Sequence, residues 1–185
     1  MRIIAIIPAR GGSKRLLGKN VFLLKGKPLI QYTIEACNAS RFVQHVFVSS
    51  EDDTILNVAT ELGATSLKRP PELADDQTPK VVAIRQAAKD PAVGLLGKDD
   101  IVVIPQANSP QISASQMDQG IQLLLDHALW EVMSCDENGV QNAAFRIVRY
   151  HALFNSFLSA HCGFVIAKNL DVHTLDDIQR LESGD

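Results

Sequence analysis

Cysteine is scarce in this chain: three in 185 residues, at positions 37, 135 and 162, with no C-x-x-C pair. Their odd number and wide spacing exclude a disulfide framework and a zinc knuckle, so Cys37, Cys135 and Cys162 read as reduced, buried thiols. Long apolar runs are also missing. The opening "MRIIAIIPARGG" holds only five consecutive apolar residues before Pro8, too few for a signal h-region or a membrane span. A cytoplasmic protein with no membrane partner is the expectation. Nor is there an excess of positive charge. A formal net charge of -3 argues against a nucleic-acid partner, which calls for a basic face. His45, His127, His151 and His161 fall in no H-E-x-x-H pattern, and no Ser-His-Asp or Cys-His set can be argued from spacing.

Two further absences concern the stretch "GGSKRLLGKN" at 11–20. A Walker A loop needs four residues between its first glycine and Gly-Lys, then Ser or Thr. Here five residues separate Gly12 from Gly18, and Asn20 follows Lys19. The dinucleotide pattern G-x-G-x-x-G fails as well, because Gly11 and Gly12 are adjacent and no third glycine follows at the required offset. Any phosphate held by this loop is held by another scheme.

What is present is an alternation of β-branched apolar runs with helical stretches, the pattern of an α/β protein with a mostly parallel sheet. No internal repeat or low-complexity linker divides the chain, and 185 residues suffice to bury ~70% of the unfolded surface, so 1–185 reads as one domain. Strands are expected at 3–8, 45–50, 64–67, 101–106, 131–135 and 163–167. Helices are expected in "PLIQYTIEACNAS", "EDDTILNVATELGA", "TPKVVAIRQAAKD" and "SASQMDQGIQLLLDHA", the last capped by Ser113 or Ser115. Ligands of such sheets sit outside the carboxyl ends of the strands. The loops there, "ARGGSKRLLGKN", "SSEDD" and "QANSP", are more polar than connectors need to be, and together they would ring one cleft.

In the first loop, Arg10, Lys14, Arg15 and Lys19 place four positive charges in ten residues. Short basic runs also occur as plain solvated surface, so charge alone leaves the choice open. Gly11 and Gly12 let backbone N–H groups approach a ligand, and Arg10 and Lys19 at either end could neutralise a triphosphate and stabilise leaving pyrophosphate. The alternative is a mobile glycine-rich connector.

"IIPARGGSKRLLGKN" resembles the segment that opens the CMP-sialic acid synthetases, the acylneuraminate cytidylyltransferases, and their CMP-Kdo synthetase relatives. "HVFVSSEDDTI", "KRPPELADDQTP", "IPQANSP" and "LDVHTLDDIQRLE" are similar to later segments of that family, in the same order. The resemblance implies a three-layer Rossmann-like fold of the nucleotide-diphospho-sugar transferase type, and transfer of CMP from CTP to an acidic 2-keto-3-deoxy sugar with release of pyrophosphate. It implies that Ala9, Arg10, Gly11, Gly12, Ser13 and Lys19 surround the triphosphate, with Arg10 and Lys19 catalytic. Asn20, Arg69 and Gln106 would surround the cytidine, and Asp171 would bind Mg2+.

The chain departs from the family at four places. His173 stands where the second acid of the metal pair is usual, and neutral imidazole is a poor partner for Mg2+. Ala107 and Asn108 replace Pro and Thr, and no basic residue follows in "SPQIS"; Glu51 replaces an aspartate. The arm that builds the family's homodimer is abridged to about 136–162, where Arg146 and Arg149 read as core packing with two solvated guanidinia. Two other readings follow from these departures: a catalytically impaired nucleotide-binding homologue, or a transferase of the same fold using another nucleotide. Asp75 and Asp76 match a family acidic position or cap the helix at Pro79.

Overall fold

The computed structural model describes residues 1–156 and 159–184. Its spine is β1 (Ile3–Pro8), whose first five residues are all buried. Side chains of a strand alternate between faces, and here both faces are covered. Ala5 and Ile7 enter one apolar layer, Ile4 and Ile6 the other. That is why the strand reads as an unbroken apolar run instead of an alternating one.

A short hairpin of β2 (Leu23–Leu24) and β3 (Lys27–Pro28) leads into α1 (Leu29–Asn38). Next come β4 (His45–Ser50), α2 (Asp53–Glu61), β5 (Thr65–Lys68), α3 (Lys80–Ala87), β6 (Ile101–Pro105) and α4 (Ala114–Asp126). The chain continues through β7 (Glu131–Cys135), β8 (Gln141–Arg149), β9 (Cys162–Ile166) and α5 (Leu175–Ser183). The main sheet has the order β5-β4-β1-β6-β8-β7-β9. Every pairing in it is parallel except the two made by β8, so the fold is the expected mostly parallel α/β type. Helices α1, α2 and α4 pack on one face through Ile30, Ile34, Ile55, Ala59, Met117, Ile121 and Leu124. Helix α3 covers the other through Ile84 and Ala87. Helix α5 lies apart, with Ile178 against Leu16, Leu24, Leu29 and Val172. No helix among the described residues is long and apolar enough to cross a membrane.

Local chemistry sets the helix starts. Asp52 accepts hydrogen bonds from the N–H groups of Thr54 and Ile55 and so caps α2. Ser113, not Ser115, caps α4, in a capping box with Gln116; Thr174 and Asp177 form a second one on α5. β5 begins one residue later than the expected 64–67, because the Ala64 N–H still closes the end of α2 on Ala59 O at 2.9 Å.

The segment 136–162, read from the sequence as an abridged arm, has regular structure of its own. It contains a tight turn and all of β8, an interior strand hydrogen-bonded on both sides. The turn is held by Asp136, whose carboxylate accepts from Asn138 N–H and Val140 N–H, with Gly139 at φ 77°. Asn138-Gly139 is a hairpin signal that was available in the sequence. The two arginines of β8 are not simply solvated. Arg146 pairs with Glu131, which is 2% exposed, and Arg149 donates to the Leu129 and Asp99 carbonyls. The cysteines are free, but Cys162 is only half-buried. Cys37 is fully buried, and burial pushes its thiol up to about 12.

Glu131 is therefore a buried carboxylate with one cationic partner among the described residues, Arg146. Arg146→Met is expected to lower stability in urea unfolding by about 3 kcal/mol, the low end for breaking a buried pair, because Arg146 is one-third exposed. The double change Glu131→Met with Arg146→Met should recover most of that loss, since it removes the unpaired charge.

Candidate functional site

The loops after β1, β4, β5 and β6 meet over the carboxyl ends of the strands, as the topology dictates. They bound a cleft of about 280 Å³ lined by Pro8, Arg10, Ser13, Lys19, Asn20, Arg69, Lys80, Gln106, Asn108 and His173, with the 73–78 turn on the far wall.

The first loop is built from backbone outward. Ala9 is buried and extends the β1–β4 ladder by donating its N–H to Ser49 O at 3.0 Å. Gly11 packs directly on the α2 cap: a Cβ there would lie 2.3 Å from an Asp52 carboxylate oxygen. Its N–H donates to Glu51 Oε1 at 2.7 Å, and the Ser13 N–H donates to Gly11 O at 2.8 Å. Two of the amides expected to turn toward phosphate are thus engaged by protein acceptors, and among Ala9, Gly11, Gly12 and Ser13 only Ser13 lines the cleft. Gly11 is required for close approach to α2. Gly18, at φ 61°, opens the short helical turn Lys19–Val21, which aims Lys19 into the cleft and buries Asn20. The Asn20 side chain donates to Arg10 O at 2.9 Å and closes the loop on itself.

Glu51 joins this loop to the next wall. One carboxylate oxygen takes Gly11 N–H; the other takes Arg69 Nη2 at 2.6 Å. Burial pushes the Glu51 carboxyl up, but the bonds from Arg69 and from backbone amides outweigh it and hold the group below its usual value. Arg69 is 4% exposed, and its Nε–H is buried without an acceptor at the cleft wall. A buried donor left unmatched is costly, so this is where a ligand oxygen would be welcome.

Arg10 is not free: it pairs with Asp76 at 2.7 Å, and Lys14 pairs with the same carboxylate. Asp76 therefore ties the two walls together, while Asp75 braces its own turn by accepting from the Gln77 and Thr78 N–H groups. Neither caps α3, whose N-cap Pro79 has no side-chain bond. Lys19 has no carboxylate partner among the described residues. Burial, together with repulsion from Arg15, Arg10 and Lys80, brings its ammonium down to about 8 against the attraction of Asp171.

The sequence reading missed Lys80. It donates to Gln106 Oε1 at 2.7 Å, and burial lowers its pKa, opposed by Asp171. A signal existed: a lysine in the first turn of a helix opposes the macrodipole. The Gln106 backbone is fixed by Thr33 Oγ1 and by the Ala144 carbonyl. Asn108 is structural. Its amide donates to Val172 O at 2.9 Å, and Val172 N–H returns the bond to Asn108 O. This clamp brings the distant 169–173 segment to the cleft.

Asp171 stands just behind the cleft wall, accepting from Ser109 Oγ and from Asn169 Nδ2. His173 does line the cleft, and its Nδ1 lies 3.1 Å from Arg15 Nη2. Arginine only donates, so Nδ1 is the acceptor and the ring is neutral with its proton on Nε2. Burial and the nearby Lys19 and Arg15 lower the His173 pKa, which favours that neutral ring.

The structure resembles a solved CMP:2-keto-3-deoxy-manno-octonic acid synthetase in complex with CTP, with a TM-score of 0.81 over 99% of this chain and 98% of that one, at 16% identity. In sequence, the chain is 32% identical over 118 residues to the 3-deoxy-manno-octulosonate cytidylyltransferase 2 of Hydrogenovibrio crunogenus, covering 64% of this chain and 45% of that protein. It is 44% identical over 86 residues to the N-acylneuraminate cytidylyltransferase of Escherichia coli O18:K1:H7, covering 46% of this chain and 20% of that protein. The chain thus spans less than half the length of these relatives. The cytidylyltransferase family model matches residues 4–155, which takes in the first loop, both walls and Gln106, and the chain belongs to that family.

Proposed function

We propose that the cleft binds CTP and transfers its CMP moiety to the hydroxyl of an acidic 2-keto-3-deoxy sugar, releasing pyrophosphate. The observation that carries this reading is Lys19: a partly buried ammonium with no carboxylate partner among the described residues, set beside Arg15 and Arg10. Concentrated positive charge of this kind is relieved by a polyanion, and a triphosphate has the length and charge to do it. Arg69 and Gln106 sit at the other end, where the orphaned Arg69 Nε–H suits an acceptor such as a cytosine carbonyl.

The acceptor hydroxyl oxygen forms a bond to the α-phosphorus as the bond to the β-phosphate oxygen breaks; the hydroxyl proton passes to solvent and pyrophosphate leaves with the bonding electrons. Lys19 and Arg10 offset the charge that develops on the leaving group. Mg2+ fits as an ion arriving with the triphosphate. Asp171 supplies a carboxylate, and the buried Asn169 Oδ1 beside it is an oxygen without a hydrogen-bond partner; such hard oxygens suit Mg2+, which keeps waters and substrate phosphates as its other ligands. When bound, the ion neutralises phosphate charge. His173, with Nδ1 held by Arg15, is not needed in that shell.

Lys19→Ala should reduce pyrophosphate release from CTP and a sugar acid by about 100-fold or more, read in a coupled phosphate assay; unchanged turnover would sink the role given to Lys19. The pH dependence has a definite sign. The free Lys19 ammonium titrates at about 8 and the bound triphosphate holds its proton, so CTP affinity by calorimetry falls about tenfold per unit as pH rises above that value. Lys19→Arg should abolish that fall.

The His173 departure favours a second reading, a nucleotide-binding homologue with impaired chemistry. Under the first reading, His173→Asp leaves turnover essentially unchanged. A wild type that binds CTP but releases no pyrophosphate, together with a His173→Asp variant that does, would establish the second.

A further inference from the structure

Four cationic side chains line the cleft: Arg10, Lys19, Arg69 and Lys80. Two are neutralised within the protein, Arg10 by Asp76 and Arg69 by Glu51. Lys19 and Lys80 pair with no carboxylate among the described residues. They stand on different walls. Lys19 belongs to the first loop, with Arg15 close by; Lys80 opens α3 and reaches across to Gln106.

Lys80 is held at a cost. At the first residue of an eight-residue helix its charge opposes the helix dipole, and burial disfavours it further. An ammonium has three N–H donors, and the one bond it makes here, 2.7 Å to Gln106 Oε1, goes to a neutral amide. The remaining donors face the cleft. Asp171, Arg10 and Lys19 act on Lys80 electrostatically, and its bond to Gln106 ties it to the wall that carries that amide. The strand-end loop "QANSPQ" at 106–111 contributes amides and a serine but no cation. The opening loop, by contrast, already brings Arg10, Lys14, Arg15 and Lys19 to the triphosphate end.

We infer that Lys80 binds the carboxylate of the acidic acceptor, leaving Lys19 to the triphosphate. The inference rests on the cytidylyl transfer proposed above and adds the group that makes the acceptor's acidity a requirement. A carboxylate on Lys80 gains a charge-assisted hydrogen bond, and it keeps the acceptor on the opposite side of Asp171 from the leaving pyrophosphate. Gln106 links the two substrates, because its Oε1 is taken by Lys80 and its amide N–H2 is left to face the nucleotide.

The test compares N-acetylneuraminic acid and 3-deoxy-manno-octulosonate with their methyl esters, using wild type, Lys80→Met and Lys80→Arg. CTP affinity is titrated separately for each protein, which also reports that the cleft has folded. The expected result is that Lys80→Met raises the KM for the preferred acid by about 10–100-fold, with CTP affinity nearly unchanged and the preference for acid over ester lost; Lys80→Arg keeps the preference. A preference that survives in Lys80→Met overturns the inference. So does a loss of CTP affinity as large as the loss for the acid, which would make Lys80 a nucleotide contact. A wild type that binds CTP yet uses acid and ester alike overturns it while leaving the nucleotide site intact. A wild type that binds no CTP overturns the cytidylyl-transfer reading beneath it.

Discussion

The cleft depends on one carboxylate. Glu51, at the end of β4, takes the Gly11 N–H on one oxygen and the Arg69 guanidinium on the other. That places the loops after three neighbouring strands in fixed relation. The geometry is possible because Gly11 has no side chain to collide with Asp52 and because Arg69, nearly inaccessible to water, needs an anion to be buried at all. Remove the brace and Arg69 has no counter-charge, while the first loop loses its anchor on α2.

Against that rigid frame, the cleft keeps an imbalance of charge. Asp76 bridges Arg10 and Lys14, Glu51 pairs with Arg69, and Lys19 and Lys80 have no carboxylate partner among the described residues. Buried polar groups in native proteins are nearly always matched, so unmatched donors gathered in one concavity mark where a ligand supplies the missing acceptors. Lys19, Lys80 and the Arg69 Nε–H lie around the same space. The closing segment adds a carboxylate on that side. Asp171 arrives there because Asn108 and Val172 exchange backbone and side-chain hydrogen bonds across 64 residues of chain. Asn108, which stands where the family has Thr, is the residue that holds this segment against the cleft.

Much of this was legible. The strands at 3–8, 45–50 and 131–135 fall where the apolar runs put them, because a strand covered on both faces must be apolar along its length. The first loop and Gln106 were marked by their place after strands and Arg69 by the family resemblance; Arg10, Ser13, Lys19, Arg69 and Gln106 all line one cleft. What escaped was anything that depended on a partner far away in the chain. β8 escaped because Arg146 and Arg149 break its apolar pattern, and only the buried Glu131 and the Leu129 carbonyl explain them. Lys80 escaped because its charge has meaning only beside Gln106 and Asp171.

The sequence by itself determined the fold class, the position of the glycine-rich basic loop and the family, because these rest on local periodicity and on segments read along one dimension. It could not say that the Gly11 amide answers to Glu51 and the Ser13 amide to the loop itself, that Arg10 is tied to Asp76, or that His173 is a neutral acceptor of Arg15. Those are properties of charges brought within a few ångströms by folding. Only the tertiary structure sets the distances and the exclusion of water on which electrostatic energies depend.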